Sequence, residues 1–303
     1  MGKLKKMVKS EIWNFGYCDM GHLFQEASAA SQSDDAMLRL LDEMISKPEL
    51  YDSDRAEYAL RKIGILEKLG RADEAKKAIK QYLNLPEVRK REVAKAVERK
   101  DYAEAIRLIK DGQKIAVDNN QSTREWKELE LDVYRRTNDK AKQIELCREL
   151  FVLDRGSMDY YHELKKLIDA KEWKTFLAKL LSETNMQAWY SSSVEADIYV
   201  EEQDSERLFA LLMDANHHTL DMFDKYAHYL KSTHSDELIA EYMNMVKNYA
   251  TRNMGAKHYS RIRQAMEGML KLNNGKAAAH QLAERLRDVY RRRTSLMAEI
   301  SKF

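Results

Sequence analysis

The chain has 303 residues, enough for two globular domains or for one elongated array of helices. It contains only 10 glycines and 2 prolines, too few for a fold of many strands and tight turns, and its 44% hydrophobic content excludes a disordered chain. The 52 basic and 50 acidic residues leave a net charge of +2, which excludes a general attraction to nucleic acid or to an anionic membrane.

The cysteines and the N-terminus indicate a reducing compartment. Cys18 and Cys147 are far apart in sequence and cannot supply a disulfide framework. No apolar run approaches the roughly 20 residues needed to span a bilayer, and residues 1–10 are basic without the apolar middle of a secretion signal. We therefore expect a cytoplasmic protein with no membrane partner.

Residues 1–50 are predicted to form irregular helices. Gly16 and Gly21 interrupt the helical pattern near the start. Residues 33–35 then supply an N-cap, and the helix that follows has apolar residues at spacings of three and four. These apolar residues are Met37, Leu40, Leu41, Met44 and Ile45.

The first strongly patterned helix is predicted at residues 51–69, with a tight turn at Gly70 and a second helix that is capped near Asp73. Alanines just after the turns, at Ala75 and Ala105, are small enough to let the two helices of a pair approach closely. The apolar positions of the first helix are Tyr51, Tyr58, Ile65, Leu66 and Leu69. Related turns recur at steps of roughly 31 to 39 residues, the signature of a helix-pair repeat. They lie at Asp101, Asp139, Glu172, Asp204, Asp236 and Gly275.

The remaining helices follow the same pattern to the C-terminus. They are predicted at residues 72–85, 87–99, 102–117, 121–137, 139–152, 157–168, 173–182, 186–201, 205–213, 217–231, 235–252, 256–272 and 276–302. The fold class is therefore all-α, an α-α superhelix of antiparallel helix pairs. We expect one domain over residues 1–303, in which residues 51–303 form about seven helix pairs ending in a capping helix.

One stretch of the chain resembles the tetratricopeptide repeat. Residues 69–75, followed by Ile79, Tyr82 and Pro86, match the turn and second helix of that repeat, and residues 101–105 match it in part. After residue 120 the chain mostly lacks the small and aromatic residues that the repeat has at its consensus positions. The resemblance implies a tetratricopeptide-like solenoid that binds another protein or a peptide on its concave face.

A second resemblance covers about residues 50–303. Residues 134–141, 160–165 and 290–300 are similar to the C-terminal helical region of bacterial proteins that carry a SWIM-type zinc finger. The finger itself needs Cys-x-Cys and Cys-x-His, which this sequence lacks, so no zinc function carries over. The resemblance implies a bacterial accessory module of a nucleic-acid-associated system. It leaves open whether the chain is part of a larger zinc-finger protein or stands alone.

Three groups of residues have a spacing that invites a metal or acid–base interpretation, and each is incomplete. They are Cys18 with His22, His162 with Lys166 where a metalloprotease helix needs a second histidine, and His217 and His218 with Asp214 and Asp221. Adjacent histidines on a helix point about 100° apart, so His217 and His218 do not face one ion. We expect no metal, no cofactor and no enzymatic activity.

Two sets of basic residues are the candidate partner-binding sites. Arg124, Lys127 and Arg135 belong to the predicted helix 121–137, the first of its pair and therefore on the inner face of a solenoid. Arg291, Arg292 and Arg293 make the last predicted helix basic, which allows nucleic-acid binding, although acidic residues are interleaved. Aromatic residues are predicted to lie in the core. The principal ones are Trp126, Trp173, Trp189, Tyr160 and Tyr161.

The function predicted from the sequence is a non-enzymatic scaffold for protein–protein interaction, with a partner of unknown identity. The alternative is an accessory module of a nucleic-acid-associated system.

Overall fold

The computed structural model describes residues 34–184, 191–214 and 219–303. These ranges contain sixteen α-helices, one 3-10 helix and no β-strand, so the all-α prediction is confirmed. None of these helices is both long and apolar enough to cross a membrane. The predictions made for residues 1–33, Trp189, His217 and His218 lie outside the described ranges.

The residues divide into two compact units, and the division falls between Gln143 and Ile144. The first unit contains six complete helices. They are α1 (Asp34–Ile45), α2 (Asp52–Lys68), α3 (Ala72–Tyr82), α4 (Pro86–Glu98), α5 (Tyr102–Asp118) and α6 (Arg124–Thr137). Helix α7 (Lys140–Leu153) contains the division.

Helices of the first unit pack in the order in which they occur. Helix α1 contacts α2, α2 contacts α3, α4 contacts α5, and α5 contacts α6, while α2 also contacts α4. Ala75 and Ala105 are 3% and 0% exposed in the second helices of two pairs, as predicted from their small size. This arrangement of helix pairs gives the chain its helical-repeat character.

The turns between helices repeat one backbone motif. Gly70 has a φ of 71°, and the next N–H, from Arg71, donates to Leu66 O at 2.9 Å. This is the pattern of a helix that ends on one left-handed residue. Five non-glycine residues of the described ranges adopt the same conformation directly after the C-terminal end of a helix. They are Lys100, Asn120, Asn138, Arg155 and Gln203.

Aspartates that follow these left-handed residues begin the next helix. The side chains of Asp101 and Asp204 accept hydrogen bonds from Glu104 N and Arg207 N, each at 3.1 Å, and therefore act as N-caps. The predicted turns at these positions are confirmed. At Gly70 the N-cap is Arg71, which makes no cap bond, so the prediction of a cap near Asp73 was wrong.

The second unit has nine complete α-helices and the 3-10 helix. They are α8 (Met158–Leu167), α9 (Ala170–Glu183), α10 (Ser191–Glu201), α11 (Ser205–Met213), α12 (Leu220–Tyr226), the 3-10 helix (Ala227–Leu230), α13 (Ser235–Arg252), α14 (Ala256–Met269), α15 (Gly275–Tyr290) and α16 (Thr294–Glu299). Helix α13 contacts α12, α14 and α15, and α16 contacts α14. Phe223, Tyr242 and Met266 are fully buried in the core that these helices share.

Two long predicted helices are interrupted. The prediction at residues 217–231 is replaced by α12 and the 3-10 helix, which end at Leu230. The prediction at 276–302 is wrong at Arg291, where α15 ends and the chain turns before α16. This turn brings Leu296 and Ile300, both 0% exposed, into the core of the unit, which a straight basic helix would not do.

Smaller corrections concern helix ends. Tyr51 and Leu69 are 78% and 40% exposed because they flank α2, whose buried face comes from residues within the helix. These are Ala56, Tyr58, Ala59, Ile63 and Leu66. The helix predicted at residues 157–168 begins at Met158, and the side chain of its N-cap residue, Ser157, makes no cap hydrogen bond.

Candidate functional site

A cleft of about 580 Å³ lies in the second unit. One wall is a face of α13 that carries Glu241, Met245, Asn248 and Arg252, at the spacing of four, three and four that places residues on one side of a helix. The start of α12, Arg261 of α14, and Tyr249 and Asn253 at the end of α13 complete the lining. A volume of this size is within the range of small-molecule and peptide pockets.

Arg261 forms the centre of the polar network at one side of the cleft. Its Nη2 donates to Asp221 Oδ1 at 2.7 Å, and its Nη1 lies 2.7 Å from Asp224 Oδ2 in an ion pair whose angles are not those of a hydrogen bond. The Tyr242 hydroxyl donates to Asp224 Oδ1 at 3.0 Å. Burial raises the pKa of the Asp224 carboxyl above its ordinary value, although Arg261 acts in the opposite direction.

Gly268 on α14 makes room for this network. A Cβ at this position would lie 2.6 Å from Asp224 Oδ1 and 2.8 Å from the Tyr242 hydroxyl, closer than real contacts allow. A side chain here would therefore push the carboxylate and the phenol apart. The network fixes the relative positions of α12, α13 and α14, and with them the walls of the cleft.

The opposite side of the cleft holds polar groups with spare bonding capacity. The side chains of Asn248 and Arg252 are exposed and make no hydrogen bond or ion pair within the described ranges. An amide both donates and accepts, and a guanidinium presents five N–H donors. Met245, which is 9% exposed, lies one turn before Asn248 on the same face and is the apolar residue of this wall. A bound peptide would meet polar groups for its backbone and an apolar surface for a side chain.

Tyr249 and His258 lie beside this wall. The Tyr249 hydroxyl is 2.8 Å from His258 Nδ1, and the Asn253 amide donates to Tyr249 O at 2.9 Å. These bonds tie the loop after α13 to the start of α14. Within the described ranges no third group is hydrogen-bonded to the side chain of His258, as the orienting acid of a nucleophile–base–acid arrangement would be, and the pair has a structural role.

The three C-terminal arginines of the sequence prediction have different environments. Arg293 is half-buried, and its Nη1 donates to Ala250 O at 2.7 Å, at the end of α13. Its guanidinium also lies 4.1 Å from the centre of the Tyr290 ring. Arg291 and Arg292 are exposed in the turn. Arg293 therefore has a structural role, and only the other two present their charge to solvent.

Two of the predicted basic residues of α6 pair with acidic residues of their own helix. Arg124 pairs with Glu128 at 3.1 Å, and Arg135 pairs with Asp132 at 2.7 Å. Arg124 and Arg135 are exposed and stand three turns apart on one side of α6, with Lys127 half-buried between them. Their binding of a partner stays a prediction.

The aromatic residues predicted as core are buried. Tyr160, Tyr161, Trp126 and Trp173 are each at most 9% exposed. Glu202 accepts a hydrogen bond from the Tyr161 hydroxyl at 2.6 Å and from Trp173 Nε1 at 2.8 Å. This carboxylate therefore joins α8 and α9 to the end of α10, and sequence periodicity gave no sign of it.

No group of three or more His, Cys, Asp or Glu side chains suited to a metal ion occurs in the described part of the chain. His162 instead lies 2.7 Å from Glu201, and Lys166 is exposed. Asp221 is held by Arg261, apart from any such group. The absence of a metal or cofactor in the working protein stays a prediction.

Of the cleft residues, the sequence analysis singled out Asp221 as part of an incomplete metal or acid–base group, and it did not predict the face of α13. The spacing of residues 241, 245, 248 and 252 already places them on one helix face. Polar residues on one face are common to most surface helices, however, and do not by themselves indicate a binding site. Only the packing of α12 and α14 against α13 turns that face into a wall. No protein-family model matches the chain, and a search of the curated proteins finds no similar sequence. The described residues thus form an all-α structure of helical-repeat character.

Proposed function

We propose that the chain is a non-enzymatic, cytoplasmic scaffold that binds a segment of another protein in the cleft of its second unit. Its helix pairs are proposed to continue one another as a tetratricopeptide-like superhelix. The observation that carries the proposal is the wall of α13, where the exposed side chains of Asn248 and Arg252 have unused bonding capacity and Met245 lies one turn before Asn248.

A peptide suits this wall for physical reasons. A segment in an extended conformation exposes backbone N–H and C=O groups that need partners, and the Asn248 amide offers both a donor and an acceptor. The Arg252 guanidinium can pair with a carboxylate. The cleft is held open by the Arg261 network, so little of the binding free energy would be spent on ordering the protein.

The alternative is an accessory role in a nucleic-acid-associated system of the SWIM type. Its support is the pair of exposed side chains Arg291 and Arg292, which make no ion pair within the described ranges. Two arginines beside the exposed Asp288 form a small basic surface, whereas nucleic-acid interfaces extend a positive charge over many phosphates. The scaffold is therefore the preferred function.

Site-specific cross-linking tests the proposal. A photo-reactive amino acid at position 248 should cross-link a protein in cells that express the chain, and Arg252→Glu should greatly reduce the yield. The same photo-reactive group at Lys76, an exposed position of α3, is the matched control. Nuclease treatment should leave the product unchanged. The proposal fails if position 248 captures no more protein than position 76, or if nuclease removes the product.

A further inference from the structure

The end of α13 and the end of α15 form a fixed junction. The Tyr290 and Thr251 hydroxyls lie 3.1 Å apart, and Arg293 Nη1 lies 2.7 Å from Ala250 O and 3.5 Å from Asn253 O. These contacts place residues 250–254 beside residues 289–293. These two segments, at the ends of α13 and α15, form one preformed surface, which is called the junction below.

Exposed apolar side chains lie on both sides of this junction. Met254 follows Asn253 and is 67% exposed, and Val289 precedes Tyr290 and is 69% exposed. Consecutive residues are about 3.8 Å apart, so both side chains lie within a residue of the contacts that hold the junction. Single exposed apolar residues are ordinary, but these two are among the most exposed large apolar side chains of the described chain, and they share one location.

Unpaired arginines are concentrated at the same place, where they outnumber the exposed carboxylate of Asp288. Most arginines of the second unit bond to a carboxylate or a carbonyl, but four make no side-chain hydrogen bond or ion pair within the described ranges. They are Arg252, Arg285, Arg291 and Arg292. Three of these belong to the junction, and Arg285 stands one turn before Val289 on the same side of α15.

We propose that this junction is a docking surface for an acidic segment of a partner protein that also carries apolar side chains. The inference rests on the proposed function and names the chemistry of the partner. Carboxylates pair with guanidinium groups in a bidentate geometry. Methionine adapts its shape to an apolar side chain, and arginine is enriched at protein interfaces. Arg252 and Asn253 belong to both the cleft and the junction, so one segment can occupy both.

The surface fits a protein better than a nucleic acid. Single-stranded nucleic acids are held by aromatic rings on which bases stack, and the aromatic residue of the junction, Tyr290, has Arg293 over its ring at 4.1 Å. Phosphates would use the arginines but would leave Met254 and Val289 without a role. An acidic segment with apolar residues uses both kinds of side chain.

Fluorescence anisotropy with a defined probe tests the inference. The probe is a short labelled peptide of glutamate, aspartate, leucine and phenylalanine, compared with a peptide of the same charge in which serine replaces the apolar residues. The full chain should bind the first peptide more tightly. Arg291→Glu with Arg292→Glu should weaken this binding by about tenfold or more, because each change replaces an attraction with a repulsion. Salt should weaken it too.

Two further variants separate the apolar contribution to peptide binding from the contribution of charge. Met254→Ser with Val289→Ser should reduce binding of the first peptide severalfold and leave the second peptide unaffected. Arg136→Glu reverses the charge of an exposed arginine in the first unit and should change nothing. None of the changed side chains makes an internal hydrogen bond or ion pair in the described chain, so circular dichroism should show an unaltered fold.

Three results would overturn the inference. These are equal binding of both peptides, binding that survives the double arginine reversal, and tighter binding of a single-stranded oligonucleotide that is lost with the same reversal. The last result would identify a nucleic-acid interface. Position 248 lines the cleft and lies outside the junction, so a captured partner together with a failed peptide assay would refute this inference and leave the proposed function intact.

Discussion

Gly112 on α5 should be intolerant of even one additional carbon. A Cβ at this position would lie 2.8 Å from three carbon atoms of the Trp126 indole on α6. Real Cβ atoms do not approach other heavy atoms so closely, and the indole, which is 5% exposed, is confined by the core of the first unit. Gly112→Ala must therefore displace either the ring or the helix.

Two opposing contributions determine how much Gly112→Ala changes the free energy of unfolding. Alanine is favoured over glycine in a helix interior by about 1 kcal/mol, while overpacking a core costs about 1–3 kcal/mol. Gly112→Ala should thus lower the free energy of unfolding by up to ~2 kcal/mol. Gly64→Ala on α2 is the matched control, because a Cβ there meets nothing within 4 Å. The control should raise the free energy of unfolding by about 1 kcal/mol.

Urea unfolding followed by far-ultraviolet circular dichroism measures both variants. Their difference isolates the steric contribution, because the helix-propensity contribution is common to both. In a Trp126→Leu background the penalty of Gly112→Ala should largely disappear, since the atoms it collides with are gone. If Gly112→Ala stabilises the protein as much as Gly64→Ala does, the ring does not lie against Gly112 and the packing of α5 on α6 described above is incorrect.

Other predictions follow from single contacts. Ala75→Met should cost about 1–3 kcal/mol by overpacking and increase hydrogen exchange in residues 51–117, whereas Ala72→Met, at an exposed position, should have little effect. Arg293→Met should lower the urea midpoint by the equivalent of about 1–2 kcal/mol because Ala250 O loses its charged donor. The equivalent change at the exposed Arg292 should have little effect, and equal losses would disprove the structural role of Arg293. Burial, with Lys271 and Lys231 nearby, lowers the pKa of His228. The unfolded chain therefore binds a proton at His228 more readily than the folded chain does, and the free energy of unfolding should fall as the pH drops below the ordinary histidine pKa of about 6.5. His228→Asn should reduce this decrease. An unchanged dependence of stability on pH would contradict the prediction.

Local sequence determined the helices and most of their boundaries. Apolar residues at spacings of three and four, few glycines and almost no prolines are sufficient for an all-α prediction, because helix formation depends on neighbours within one turn. The turns at Gly70, Asp101 and Asp204 were predictable for the same reason. A left-handed residue ends one helix, and the aspartate after Lys100 or Gln203 caps the next.

The sequence could not predict where a helix bends or which charges are used internally. Nothing local distinguishes Arg293 from Arg291 and Arg292, yet only Arg293 bonds to the end of α13. The break between α15 and α16 likewise depends on distant residues, because Leu296 and Ile300 are buried only when the chain turns back toward α14. The period of a helix does not encode such long-range contacts.

Only the tertiary structure brings the residues of the candidate sites together. Glu241, Asn248 and Arg252 look like any solvated helix face until α12 and α14 enclose them as the wall of a cleft. Met254 and Arg291 are 37 positions apart in the sequence, and they share one surface because the contacts of Tyr290 and Arg293 hold two helix ends together. Sequence fixes which residues are helical through local hydrogen bonding, whereas a binding surface is made by side chains that only packing brings together.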